Sequence, residues 1–356
     1  MRLFPPTRFD ALTQRWAGIL LLTTILLVVA GMICNVAGKQ QTSTAPHGGD
    51  VALYAKIVDE IAQGRSYYEA ATVEHREFGY PLKPVLTVRE PFLALALGAF
   101  SDRETGFLVL RILTLAVFAA WGWRLQTQFD HPAWTIAGVF LLFLGAAVPF
   151  IAENYVYFHE VWAGLLIALS LALYSPRRWG WSLAIGFLAT CVRETGALYL
   201  VVMVGTALFE KRKHEAAAWG AAILLFAGIM LLHAHMLEHY LHPGDVVSKG
   251  WLCFGGVPFL LSTARWNAAL LLAPSWVIAA VVPLMLLGAA GWPGKTGRRL
   301  AAVCLGYGLF FLVLGRPNNS YWGLIVAPLM GISLLMAPGT LFRLTMRVSN
   351  KTGASP

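Results

Sequence analysis

Residues 16–37 read WAGILLLTTILLVVAGMICNVA, an uncharged apolar run behind Arg2, Arg8 and Arg15, and residues 49–68 read GDVALYAKIVDEIAQGRSYY. Crossing a hydrocarbon core takes about 20 residues at 1.5 Å rise each, so the first run is a membrane helix. Its apolar stretch is long for a signal peptide and no small-x-small cleavage site follows, so it is expected to stay as an anchor. The acidic, tyrosine-rich stretch therefore stands at the mouth of a membrane helix.

The rest of the chain repeats that greasy pattern. Of 356 residues, 58% are apolar and 13% charged, with a mean hydropathy of +0.64. Soluble domains carry roughly twice that charge fraction. Further apolar blocks lie near 105–123, 133–151, 157–174, 178–193, 196–210, 217–236, 267–289, 298–315 and 322–338. Together they predict an all-α polytopic membrane protein, a bundle of about ten transmembrane helices forming one integral membrane domain over 1–356. The blocks 178–193 and 196–210 are short and nearly contiguous, which suits a broken, partly re-entrant pair.

The net charge of +9 does not point to nucleic acid, because the basic residues sit in short connections and form no basic face. Cysteines 34, 191, 253 and 304 have neither CxxC nor metal spacing, so no disulfide framework is expected. With both termini inside, the inner connections hold Arg2, Arg8, Arg15, Arg124, Arg177–Arg178, Lys211–Lys213, Lys295–Arg299 and Arg343–Lys351, which obeys the positive-inside rule. Only Asp10, Asp130, Glu210 and Glu215 of the eighteen acidic residues fall on that side. Acidic residues contribute little to orientation, so their bias to the outer side points to a working outer face.

The largest soluble feature is the first outer loop, 38–104. It opens on a polar linker, GKQQTSTAPHGGD, and then Val51, Leu53–Tyr54, Ile57–Val58 and Ile61 recur at helical spacing behind Asp50 as N-cap. This predicts a short amphipathic helix on the membrane surface, with a second interfacial helix over Pro91–Phe100. Several charges occupy costly places: Arg89 and Glu90 before an apolar run, Glu153 and Glu160 around NYVYFH, Arg193 and Glu194 inside a long apolar stretch, and Arg316 in LGRPNNSYWG. The topology puts Asp50, Glu90, Glu153, Arg193, Arg265 and Arg316 on one face, with Lys249 nearby in the sequence of a late outer loop.

Carboxylates and guanidiniums on one face suit transfer from an anionic, lipid-linked donor. Arginines clamp phosphate and stabilise it as it departs, and a carboxylate beside the entering hydroxyl serves as general base. By this chemistry Arg89, Arg193, Arg265, Arg316 and Lys249 are candidate donor ligands, and the carboxylates of that face, Asp50 and Glu153 among them, are candidate general bases. Tyr54, Glu90, His159, Glu160 and Glu194 are candidate accessories. Tyr54, Tyr67, Tyr68, Tyr155 and Tyr157 suit packing on a sugar or an isoprenoid. Structural roles compete: Asp50 as a plain cap, Arg193 and Glu194 as partners of residues elsewhere, and the tyrosines as an ordinary interfacial belt. His235, His239 and His242 share a helical face, which suits a polar helix terminus better than a metal site.

The pattern G-D-x3-Y-x9-G-x2-Y over 49–67, the R-E-P-F at 89–92, CVRETGALYL at 191–200 and GRPNNSYWGLIVAPL at 315–329 together resemble bacterial membrane glycosyltransferases of the GT-C superfamily. These use polyprenyl-phosphate sugars, as in the lipid A aminoarabinose and protein O-mannosyl transferases. The resemblance implies a catalytic aspartate at Asp50 and a second acid at Glu153 or Glu160, with Glu153 favoured by position. Relatives often open the short helix with a proline pair where this chain has Glu90-Pro91, and many carry a soluble C-terminal domain that does not fit after Pro338. Some hold a divalent cation, magnesium or manganese, near the acid; others have none, and no metal ligand is assigned here.

The implied activity is inverting transfer of a sugar from a polyprenyl-phosphate donor to a glycan, lipid or protein acceptor at the periplasmic face of the bacterial inner membrane, with both termini cytoplasmic. Membrane lipids are the other expected partners. Two other functions fit a polytopic chain: a transporter or flippase of lipid-linked sugar, which would show inverted repeats and charges at the midplane, and a non-catalytic assembly protein.

Overall fold

A computed structural model describes residues 4–35, 49–100, 102–248, 250 and 253–349. The polar linker expected before Asp50, and Lys249, lie outside the described residues. Among the described residues the protein is helical without strands. In chain order the helices are α1 (Gln14–Asn35), α2 (Gly49–Ala62), α3 (Tyr67–Glu77), α4 (Phe92–Gly98), α5 (Arg103–Gln128), α6 (Pro132–Ala146), α7 (Val148–Ile151) and α8 (His159–Leu173). There follow α9 (Trp179–Val192), α10 (Ala197–Phe209), α11 (Lys213–Glu238), α12 (Gly256–Ala264), α13 (Ser275–Gly291), α14 (Gly294–Val313), α15 (Ala327–Ser333) and α16 (Ala337–Ser349).

Local chemistry sets several of these boundaries. Asp102 caps α5 by accepting from the Thr105 N–H at 2.7 Å. Pro132 opens α6, where its missing N–H costs no hydrogen bond. Block 133–151 divides at Ala147, just before Pro149, leaving α6 and the one-turn α7. The expected break after α9 is present: Arg193 is extended (φ −149°, ψ 117°) and a 3-10 turn over Glu194–Gly196 leads into α10.

Five segments are long and apolar enough to cross a membrane: α1, α5, α11, α14 and the run Ala327–Ser349. The remaining blocks appear as five shorter apolar helices, α6, α8, α9, α13 and the run 194–209. Fifteen residues rise only about 22 Å, short of a core about 30 Å thick. Length therefore supports five spans where the sequence suggests ten. The shortness has a cause in α8, which is buried from His159 to Ala172 at every residue but Leu169. A helix apolar on all sides and walled by protein is not gauged against lipid.

α8 packs against α5, α9 and the 3-10 segment Pro317–Ile325. Glycines permit that approach: a Cβ on Gly164 of α8 would stand 2.5 Å from the Leu324 carbonyl oxygen, and one on Gly323 would stand 1.9 Å from that of Thr263. The 317–325 segment is thus wedged between α8 and α12.

Charged residues gather at two ends. At one, Arg299 is fully buried, its Nη1 2.9 Å from Glu210 and its Nη2 3.1 Å from Glu215, with its guanidinium 3.8 Å over the Tyr174 ring. Arg298, Arg212 and Arg124 join this cluster through Glu210, Glu215 and Thr296. At the other end lie Asp50, Arg89, Glu160, Arg193 and Glu194. Helices α5, α8, α10, α11 and α14 run from one end to the other.

The first loop differs from expectation in three ways. Asp50 sits in the first turn of α2, and its carboxylate accepts from Tyr80. The apolar stripe of α2 does not lie on a membrane surface: Leu53, Ile57 and Val58 join the protein's main core. Ile61 also packs within reach of Gly98 on α4. Finally, α3 is a helix the apolar pattern did not announce, because apart from Tyr67 at its start it buries small and polar residues (Ala70, Ala71, Thr72, Glu74, His75).

Gly145 of α6 faces α15 so closely that a Cβ would lie 2.3 Å from the Ala327 carbonyl oxygen, whereas nothing stands within 4 Å of one on Gly205. Gly145→Ala is expected to lower stability by about 1–3 kcal/mol through overpacking. Gly205→Ala should be neutral or stabilising by up to about 1 kcal/mol, since a helix-interior glycine costs backbone entropy. Thermal unfolding of both variants in detergent checks the contrast.

Candidate active site

At the Asp50 end a cavity of about 220 Å³ is walled by Asp50 and Tyr54 of α2, His75 of α3, Tyr80, Thr87 and Arg89 of the following stretch, Ser248, and Arg316, Asn318, Asn319, Tyr321 and Trp322. Asp50, Arg89 and Arg316 thus share one space although the chain separates them widely. Tyr80 donates to Asp50 Oδ1 at 2.6 Å, which orients the carboxylate. Burial, then the Asp50 charge and hydrogen bond, push the Tyr80 phenol well above its usual range, so it remains a donor. Burial likewise pushes the Tyr54 phenol up to about 12, against the pull of Arg89.

The wall holding Tyr80 is fixed from outside. Arg76 grips Asp245 through Nε–Oδ1 at 2.7 Å and Nη2–Oδ2 at 3.0 Å, and donates to the Tyr240 carbonyl. That grip holds the Asp245 carboxyl down at about 2. His233 ties α11 to the same loop through Tyr68 and the Val88 carbonyl. His239 bonds the His235 carbonyl, so these histidines act as a polar helix end.

Behind Arg89 runs a buried chain of charge. Arg193, with no exposed surface, donates from Nε to Glu160 Oε1 at 2.6 Å and from Nη1 to Glu194. Glu194 in turn accepts from Arg89 Nη1 at 3.3 Å, and the Tyr67 hydroxyl donates to the Arg89 carbonyl. The Arg193 guanidinium also lies 5.8 Å over Trp322, whose ring lines the cavity. Glu90 is buried, with neither carboxylate oxygen hydrogen-bonded. Burial raises its pKa, against its own backbone N–H and the charges of Arg193 and Arg89. His159 is also buried, its ring edge-on to Tyr54 at 4.9 Å.

The candidate residues therefore separate into groups. Asp50, Tyr54, Arg89 and Arg316 line the cavity, and Glu160, Arg193 and Glu194 form the chain behind it. Glu153 is exposed on the 3-10 turn Glu153–Tyr157 and does not line it. Arg265 is spent on Ser275 Oγ and the Ala273 carbonyl and lies off the cavity. Tyr80, His75, Ser248 and Tyr321 were not singled out from the sequence. No spacing in the chain pairs Tyr80 with Asp50.

Among the described residues no three His, Cys, Asp or Glu side chains converge as a metal would need. Asp50 is the cavity's one carboxylate and two guanidiniums face it, a donor set that fits magnesium or manganese poorly.

Two outcomes follow from these charges. Arg193→Met strands Glu160 in the core and should cost about 3–5 kcal/mol, and the double variant Arg193→Met/Glu160→Gln should recover part of it; melting midpoints and membrane abundance read this. His75, whose Nδ1 bonds the Ala71 carbonyl at 2.7 Å, is pushed down to about 4 by burial. Between that value and about 6.5 only the unfolded chain takes up its proton, so stability rises with pH across this window. Acidification from pH 7 to 4.5 should remove about 2–3 kcal/mol more from wild type than from His75→Gln in paired thermal melts. No family model, curated protein or solved structure matches this chain.

Proposed function

We propose that the Asp50 cavity transfers a sugar from a polyprenyl-phosphate donor to an acceptor hydroxyl, inverting the anomeric centre. The observation that carries this reading is the meeting of Asp50, Arg89 and Arg316 around one cavity. With two guanidiniums against one carboxylate, the lining favours an anionic ligand, and His75 stays neutral at pH 7. Arg89 and Arg316 bind the donor phosphate and stabilise it as the glycosidic C–O bond breaks. Asp50, oriented by Tyr80, takes the proton of the acceptor hydroxyl while that oxygen attacks the anomeric carbon from the opposite side. Phosphate leaves as an anion and needs no acid, so one carboxylate suffices. Asn318, Asn319 and Ser248 supply neutral partners for sugar hydroxyls.

The same reading takes the helices running between the two charged ends as about ten crossings of a bacterial inner membrane. The Arg299 end and both termini are cytoplasmic, and the Asp50 end is periplasmic. The density of arginine and lysine in the connections at the Arg299 end supports this orientation.

Asp50→Asn keeps the Tyr80 hydrogen-bond acceptor but removes the base. It should reduce transfer by about 10²–10⁴-fold at unchanged membrane abundance. Complementation of a deletion strain, with mass spectrometry of envelope glycolipids and glycans, reads the result. A glycan lacking one sugar supports the reading, and a wild-type profile from an abundant variant overturns it.

A further inference from the structure

On the far side of α2 from Asp50 a second crevice, about 190 Å³, is lined by Asp59, Ala62, Leu97, Phe100, Asp102, Arg103, Gly106 and Tyr157 among others. It is chemically unlike the first. Its floor is apolar, and its rim carries two carboxylates and one guanidinium.

Its depth relative to the bilayer follows from α5. Asp102 and Arg103 open that helix, which is of spanning length, and its exposed apolar band begins at Leu108 (58% exposed) and continues through Ile112 and Leu115. Five residues rise about 8 Å, so the crevice stands just above the hydrocarbon, at headgroup level. On α4, whose Leu97 lines the crevice, Phe92 and Leu95 are exposed.

Asp102 is engaged as the cap of α5, but the other two rim charges, Arg103 and Asp59, are only loosely paired. Arg103 reaches Asp59 only at 3.9 Å, and both side chains are about half exposed (54% and 47%). Such a pair contributes about 0–1 kcal/mol and is free to exchange partners. Arg103 also lies 5.5 Å over the Tyr157 ring, which places the guanidinium at the crevice wall. A cation and an anion a few ångströms apart complement a ligand carrying the opposite pair.

We propose that this crevice binds the headgroup of a zwitterionic phospholipid bearing a primary ammonium, a phosphoethanolamine. Its phosphate takes the Arg103 guanidinium, and its ammonium donates to Asp59 at the rim that Asp102 completes. A trimethylammonium has no N–H to donate, so the carboxylates select against phosphocholine. An anionic glycerol headgroup meets Asp59 without a compensating cation. This site is independent of the sugar-transfer reading and survives its failure.

The test uses the full-length protein reconstituted in vesicles of equimolar phosphatidylethanolamine, phosphatidylcholine and phosphatidylglycerol, then released for native mass spectrometry. Wild type should retain phosphatidylethanolamine about tenfold over each of the others, the ratio one charge-assisted hydrogen bond supports. Asp59→Asn, at a half-exposed position, should bring that ratio to within about twofold, and Arg103→Gln should lower retention of all three lipids, which share the phosphate. Equal retention of the three lipids by wild type overturns the proposal. So does a preference that persists in Asp59→Asn, or retention unchanged in Arg103→Gln, since the lipid would then sit elsewhere.

Discussion

A fully buried guanidinium has to be neutralised, and at Arg193 that requirement organises the Asp50 end of the molecule. Removing such a charge from water costs several kcal/mol even after relaxation, so its carboxylate partners cannot be optional. Glu160 supplies one from the first turn of α8, and Glu194 the other from the turn that breaks α9 from α10. The helix interruption is part of the same solution, because the 3-10 turn lets adjacent residues reach one another where a continuous helix would splay them apart. Glu194 then holds Arg89, and through it the whole first loop is referenced to the centre of the bundle.

The opposite end repeats the principle with different residues. Arg299 is enclosed by Glu210 and Glu215 and stacked on Tyr174, which joins the ends of α8, α10 and α11 to the start of α14. Between the two ends the helices are held by close packing at glycines, not by charge. The 317–325 segment is clamped by Gly164 and Gly323, so Arg316, Asn318 and Tyr321 face the first loop at a set distance.

Several parts of this arrangement could be read from the residues alone, and particular cases show why. The break at Arg193 was legible because a charged pair inside an apolar stretch is too costly to leave in a lipid-facing helix. The stripe Leu53, Ile57 and Val58 announced α2 through its period, but periodicity says only that a face is buried, not in what. That face went into protein, so α2 is a wall and not a float. Helix α3 carries no such period because, beyond Tyr67 at its start, its buried face is made of alanine, threonine, glutamate and histidine, which give little hydropathy signal. Glu153 and Arg265 share the topological side of Asp50 and still miss the cavity, since residues on one face can point in many directions.

Composition and apolar blocks were therefore enough to establish a helical chain with apolar helices of spanning length, and where along the chain those helices lie. These follow from solvation, which acts residue by residue and leaves its mark in linear order. The tertiary structure alone decided that Tyr80 orients Asp50, that Arg89 and Arg316 share its cavity, and that Arg193 stands behind the wall rather than in it. Those outcomes depend on contacts between segments up to hundreds of residues apart, set by close packing and charge pairing in three dimensions. No local pattern encodes them.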